Sequence, residues 1–123
     1  MKFHLQNANG QNRFTGYGAG YTLVNSVRYE CSLVVTPERV IEDWQVPNFD
    51  ALSASHFEFL LALKPEIVLL GTGAALRFPQ PALSRRLLLA HIGLEVMDTA
   101  AACRTYNILS AEGRNVAAAV LPA

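Results

Sequence analysis

The amino-acid sequence predicts a mixed α/β domain, and three observations carry that expectation. An apolar run, Ile67-Val68-Leu69-Leu70, opens after Pro65 and ends in Gly71-Thr72-Gly73, the pattern of a buried parallel strand that gives way to a glycine-flanked turn. The hydrophobic period changes along the chain, from near two in the first half to helical spacing in the second. The second half also alternates strand, helix, strand, helix, strand, and crossovers of helical length join parallel strands in a right-handed sense. The expected architecture is a three-stranded parallel core in a βαβαβ half, with an N-terminal antiparallel meander and the first helix completing a mixed β-sheet.

The elements follow in order. Gly16, Gly18 and Gly20 punctuate residues 13–21, and residues 21–24, 27–36 and 39–45 are rich in β-branched and aromatic side chains. Asn25-Ser26 and Thr36-Pro37-Glu38 are turn signals between them. From Val27 to Leu33 apolar and polar residues alternate, so one face of the meander is expected to be wet. Ser55 with Glu58 reads as a capping box that opens a helix through Phe57, Leu60 and Leu61 to Pro65. Leu83, Leu87 and Ala90 share one face of a second helix, with Gly93 as its left-handed stop. Leu94 to Met97 is a short strand. Asp98-Thr99 caps a third helix that ends at Glu112-Gly113, and the apolar run from Val116 to Leu121 is the last strand.

At 123 residues the chain is expected to form a single domain over its full length and to bury roughly two thirds of its unfolded surface. It is 51% hydrophobic and 16% charged, so either the core is generous or a partner covers part of the surface, a homo-oligomer included. Ten basic residues balance ten acidic ones and are dispersed, which gives no electrostatic footprint for nucleic acid. Cys31 and Cys103 have neither zinc nor redox-pair spacing and read as buried, reduced thiols. The first residues, Met1 to Gln6, lack the apolar stretch of a signal peptide and the character of a presequence, and no window is apolar enough for a transmembrane segment. A cytoplasmic address is expected by default.

Both strand-to-helix turns of a βαβαβ unit emerge on one sheet edge, so Gly71, Thr72, Gly73, Asp98 and Thr99 form the candidate binding crevice, with Arg77 within reach. Glycine permits close backbone approach, and free N–H groups with a guanidinium suit an anion or nucleotide. The same residues also fit an ordinary sharp turn with capping, and no phosphate-loop spacing is present. Arg104, Tyr106 and Asn107 form a second polar set, structural or recognitive, because a mid-helix Asn needs a partner if buried. His4, His56 and His91 are scattered without metal spacing. Glu42 and Asp43, adjacent on a strand, are expected on opposite faces. Trp44 is either a sheet-packing aromatic or a partner-facing anchor. No catalytic set, metal site or cofactor is expected.

Three motifs in order, Pro65-Glu66-Ile67-Val68-Leu69-Leu70-Gly71-Thr72-Gly73, Gly93-Leu94-Glu95-Val96-Met97-Asp98-Thr99 and Ala102-Cys103-Arg104-Thr105-Tyr106-Asn107-Ile108-Leu109, resemble the Mth938-like domain family over nearly the whole chain. The chain looks like a bacterial member of that family, whose mitochondrial relatives are complex I assembly factor 3 proteins. The resemblance implies a three-layer α/β fold with a central mixed sheet. It also implies a non-enzymatic protein-binding module whose partner belongs to a respiratory complex or another membrane-associated assembly. The alternative is a small-ligand or nucleotide-binding protein that uses the strand-end crevice.

Overall fold

The chain follows the predicted order with one rearrangement in its first half. In the computed structural model, which describes residues 10–123, the elements are β1 (Phe14–Gly18), β2 (Tyr21–Val24), β3 (Val27–Tyr29), β4 (Leu33–Val35), β5 (Val40–Ile41), a 3-10 turn (Phe49–Ala51), α1 (Ala54–Ala62), β6 (Ile67–Gly71), α2 (Pro81–Leu89), β7 (Gly93–Met97), α3 (Thr99–Ala111) and β8 (Val116–Val120). The Met1 to Gln6 segment, with His4, lies outside the described residues. Strands β6, β7 and β8 form the expected parallel core, with β6 between the other two.

The meander does not complete the mixed sheet. β1, β2 and β3 form their own antiparallel sheet, while β4 and β5 join the mixed sheet in the order β5-β4-β8-β6-β7. The expected strand over residues 27–36 is split because its two ends have incompatible surroundings. Val27 and Arg28 are exposed, whereas Leu33, Val34 and Val35 are all buried. Ser32 holds the break, since its hydroxyl donates to Trp44 O and accepts from Val46 N–H at 3.0 Å.

Strand alternation sorts the core into two layers about the mixed sheet. Val34, Val68, Leu70, Ala117 and Ala119 face α1 and α2, together with Trp44, Phe57, Leu60 and Leu87. Leu33, Val35, Leu69, Ala118 and Val120 face α3 and the small sheet, together with Phe14, Ala102, Cys103 and Tyr106. Helices α2 and α3 therefore cover opposite faces, as successive crossovers in opposite directions require. The central strand β8 is Val-Ala-Ala-Ala-Val and wholly buried; its small side chains leave room for large aromatics in both layers.

Three local expectations are corrected, and the alternative left open at Trp44 is decided. β5 stops at Ile41, so Glu42 and Asp43 are not pleated strand neighbours; both line one cleft. Trp44 is 1% exposed and its indole N–H donates to His56 O at 3.0 Å, which makes it core and not a partner-facing anchor. The α1 cap is Ser53 rather than Ser55, and the His56 ring closes the box by accepting the Ser53 N–H at 3.0 Å. His56 Nε2 faces Gln45 O at 3.1 Å, so Nε2 carries the proton. Finally, His91 and not Gly93 takes the left-handed conformation after α2, with φ 61°, because Gly93 already begins β7.

Burial pushes the Cys103 thiol up to about 12 and also raises the Tyr106 phenol. An unfolded thiol ionises near about 8.5. Above that pH the unfolded chain releases a proton that the native chain keeps, so this contribution is complete below the unfolded value and declines as pH rises toward the folded one. Urea unfolding across the alkaline range is expected to show that decline. Cys103→Ala should reduce it between about pH 8.5 and 10, leaving the contribution of Cys31 there and those of Tyr29 and Tyr106 at higher pH.

Candidate functional site

Strands β6 and β7 are neighbours whose following segments leave to opposite faces, the position at which open α/β sheets form a ligand crevice. Here the polar groups of that crevice bind one another. Thr72 N–H donates to Met97 O at 2.9 Å, Thr99 N–H to Gly73 O at 2.9 Å, and Leu121 N–H to Gly71 O at 2.9 Å. The fully buried Thr99 hydroxyl accepts from Gly73 N–H at 2.9 Å and donates to Leu121 O at 2.6 Å. The ends of β6 and β8 are thereby tied to the start of α3.

The glycine of β6 suits this closure. A Cβ on Gly71 would lie 3.0 Å from Thr99 Cα and 3.0 Å from Val120 Cγ1, a tight fit that the start of α3 or Val120 would have to relieve by shifting a few tenths of an ångström. Asp98 caps α3 by accepting from Ala101 N–H at 2.8 Å. The Thr72 hydroxyl donates to Ala75 O at 2.6 Å and accepts from Arg77 N–H at 3.1 Å, which folds the loop that follows. Five of the six crevice residues, Gly71, Thr72, Gly73, Asp98 and Thr99, are thus brought together. The Arg77 side chain turns outward, where it pairs with Asp50 at 2.8 Å and lies over the Phe49 ring at 4.3 Å.

The second polar set divides by depth. The Asn107 amide makes a two-way bond to β1, donating to Phe14 O at 2.7 Å and accepting from Phe14 N–H at 2.9 Å. It supplies what a neighbouring strand would otherwise supply. Tyr106 is buried, donates to Asn12 O at 2.9 Å and meets the Phe14 ring edge-on at 5.4 Å. Arg104 remains at the surface and donates to the Tyr17 hydroxyl at 2.8 Å. Tyr106 and Asn107 fasten the small sheet onto α3.

An open cleft of about 860 Å³ lies between the turn after β3 and the segment after β5, with Glu30, Cys31, Glu42 and Asp43 in its wall. Cys31 is exposed, contrary to the expectation of a buried thiol, because the chain turns there instead of continuing as a strand. Desolvation, and then the Glu42 carboxylate, raise its thiol above the ordinary value. That is the reverse of what a nucleophilic cysteine needs. Among the described residues no group of three or more His, Cys, Asp or Glu could hold a metal ion.

Another surface escaped the sequence reading. Leu87 is buried, but Leu88 is 74% and Leu89 68% exposed, and the preceding loop exposes Phe78 at 72% and Leu76 at 51%. Three consecutive leucines could have revealed it, since at about 100° per residue they cannot all face one core. Residues 67–94 contain no Asp or Glu and three arginines, Arg77, Arg85 and Arg86. The exposed face of α2 and its loop is therefore apolar, with Arg77 and Arg86 set against Asp50 and Glu58 from neighbouring elements.

Residues 14–121 match the family described as a protein of unknown function, DUF498/DUF598. A "13 kDa major membrane protein" of Francisella tularensis is 29% identical over 88% of this chain and 89% of its own. The NADH dehydrogenase [ubiquinone] 1 alpha subcomplex assembly factor 3 of Drosophila melanogaster is 34% identical over 88% of this chain, which spans only 57% of the fly protein. A Bordetella pertussis protein solved by NMR as a Mth938-like domain superposes with a TM-score of 0.83, at 36% identity, over 99% of this chain and 92% of its own. No helix among the described residues is long and apolar enough to cross a membrane.

Two substitutions test the structural part of this site. Thr99→Val keeps the shape but strands the Gly73 N–H and the Leu121 carbonyl, and is expected to cost about 2–4 kcal/mol of unfolding free energy. Asn107→Leu strands both backbone groups of Phe14 and should cost about 1–3 kcal/mol. Urea denaturation measures both. A Thr99→Val protein as stable as wild type would show that the hydroxyl does not hold the strand ends.

Proposed function

The chain belongs to the Mth938-like DUF498/DUF598 family, and from that premise we propose that it is a non-enzymatic docking module that assists a membrane-associated protein assembly in the manner of the assembly-factor relatives. One observation carries the reading: four large apolar side chains, Leu76, Phe78, Leu88 and Leu89, stand more than half exposed on α2 and its loop. A soluble domain rarely leaves such residues grouped on one element without a partner. The names of the relatives, an assembly factor and a membrane protein, are consistent with a partner at a membrane.

Within this reading Gly71, Thr72, Gly73, Asp98 and Thr99 act as the frame of the docking loop. The Thr72 hydroxyl shapes the segment from Ala75 to Arg77, and the pairing of Arg77 with Asp50 sets where Phe78 leaves the body of the domain. Binding energy comes from the exposed apolar anchors, in the way a few large side chains dominate an interface. The backbone N–H groups of Thr72 and Gly73 are engaged within the chain, which favours docking over capture of an anion in the crevice.

The test is a cross-linked affinity capture from native extract with membranes retained, comparing wild type with a Phe78→Ser/Leu89→Ser double variant. Both side chains are exposed, so the variant is expected to unfold at the wild-type denaturant concentration. Respiratory NADH dehydrogenase subunits are expected with wild type and reduced at least about tenfold with the variant, as for hot-spot anchors worth above about 1.4 kcal/mol. Equal recovery with both proteins would refute this docking face.

A further inference from the structure

The mixed sheet has two unlike edges. At one, β5 is only two residues long, a common way to blunt an edge. At the other, β7 is a five-residue strand that, among the described residues, pairs only with β6. Gly93 N–H donates to Glu66 O at 3.1 Å, and Met97 O accepts from Thr72 N–H at 2.9 Å. Alternate residues of a parallel strand address the same neighbour, so Gly93, Glu95 and Met97 face β6. The N–H and C=O groups of Leu94 and Val96 consequently point off the open edge.

The surroundings suit an added strand. The Leu94 and Val96 side chains pack into the α1 and α2 layer and Met97 into the α3 layer, each only partly buried. On α2, Arg86 reaches toward Glu58 of α1 at 3.8 Å. Leu88, two residues on, is turned about 160° away from it, so it projects from the flank of α2 opposite α1 and stands exposed. Glu95 is the one charge in β7; it is exposed and lies on the α3 side of the strand.

We infer that β7 is a docking edge for one extended segment of a partner protein, with apolar residues beside Leu94, Val96 and Leu88 and a Lys or Arg opposite Glu95. This rests on the docking reading above and specifies the chemistry of the partner. A second copy paired symmetrically about Glu95 is disfavoured. Symmetric antiparallel pairing about the centre of β7 would set two Glu95 carboxylates directly opposite each other, with Cα atoms about 4.5 Å apart, and like charges in that position are unfavourable. The same geometry rewards an opposite charge, so Glu95 both guards the edge and selects its occupant.

The test uses the full chain, amide-labelled for NMR, with two capped heptapeptides, Ser-Thr-Val-Arg-Val-Thr-Ser and the same peptide with Glu at its centre. The arginine peptide is expected to shift and protect the Leu94 and Val96 amides and to bind about fivefold or more tightly than the glutamate peptide, as cross-strand charge pairs allow. Glu95→Lys should reverse the preference. Val96→Pro removes an outward N–H that the monomer does not use, a position where an edge strand tolerates proline, and should abolish binding of both peptides without unfolding the chain. Equal binding of the two peptides, no response at Leu94 and Val96, or protection of those amides by self-association of wild type would each overturn the inference. Response confined to Phe78, Leu88 and Leu89 would overturn the strand edge while leaving the broader docking surface standing. A failed affinity capture with the peptide preference intact would do the opposite.

Discussion

The fold depends on one buried hydroxyl. Thr99 opens α3 directly beneath the end of β6, and its Oγ1 holds Gly73 on one side and Leu121 on the other. That contact favours glycine at position 71, since a side chain there would press on the Thr99 backbone. A hydroxyl can serve both groups because it accepts and donates at once. In a buried site, two backbone groups left unpaired would cost several times what a surface hydrogen bond contributes.

Closing this edge relocates the exposed chemistry of the domain. An open α/β sheet usually offers free loop N–H groups beyond its strand ends, but here they complete the backbone network of the protein itself. Apolar surface on α2 and its loop and the outer side of β7 remain available. Both lie on the part of the mixed sheet farthest from the small antiparallel sheet, which α3 holds on the opposite face through Asn107 and Tyr106.

The candidate site was partly legible in the sequence. Glycine at 71 and 73, threonine at 72 and 99 and aspartate at 98 mark two turns on one edge, and the structure places those five together. That Thr99 would turn its hydroxyl inward, and Arg77 its guanidinium outward to Asp50, was not legible. Each depends on a residue distant in sequence, Leu121 in one case and Asp50 in the other. Asn107 was flagged as needing a partner, but that the partner is the backbone of Phe14, 93 positions away, follows only from how α3 crosses the sheet.

By itself the sequence determined the βαβαβ order, the parallel core and both ends of α3, because periodicity, caps and breakers act over a few residues. It named the apolar run of β6 and the all-buried β8 from their lack of polar alternation. Tertiary structure alone decided that residues 27–36 divide between two sheets, that Trp44 lies in the core and Cys31 at the surface, and that Leu88 and Leu89 face outward while Leu87 is buried. The physical reason is that local pattern states which residues need burial, whereas the number of faces available to cover them is set only when all layers have packed.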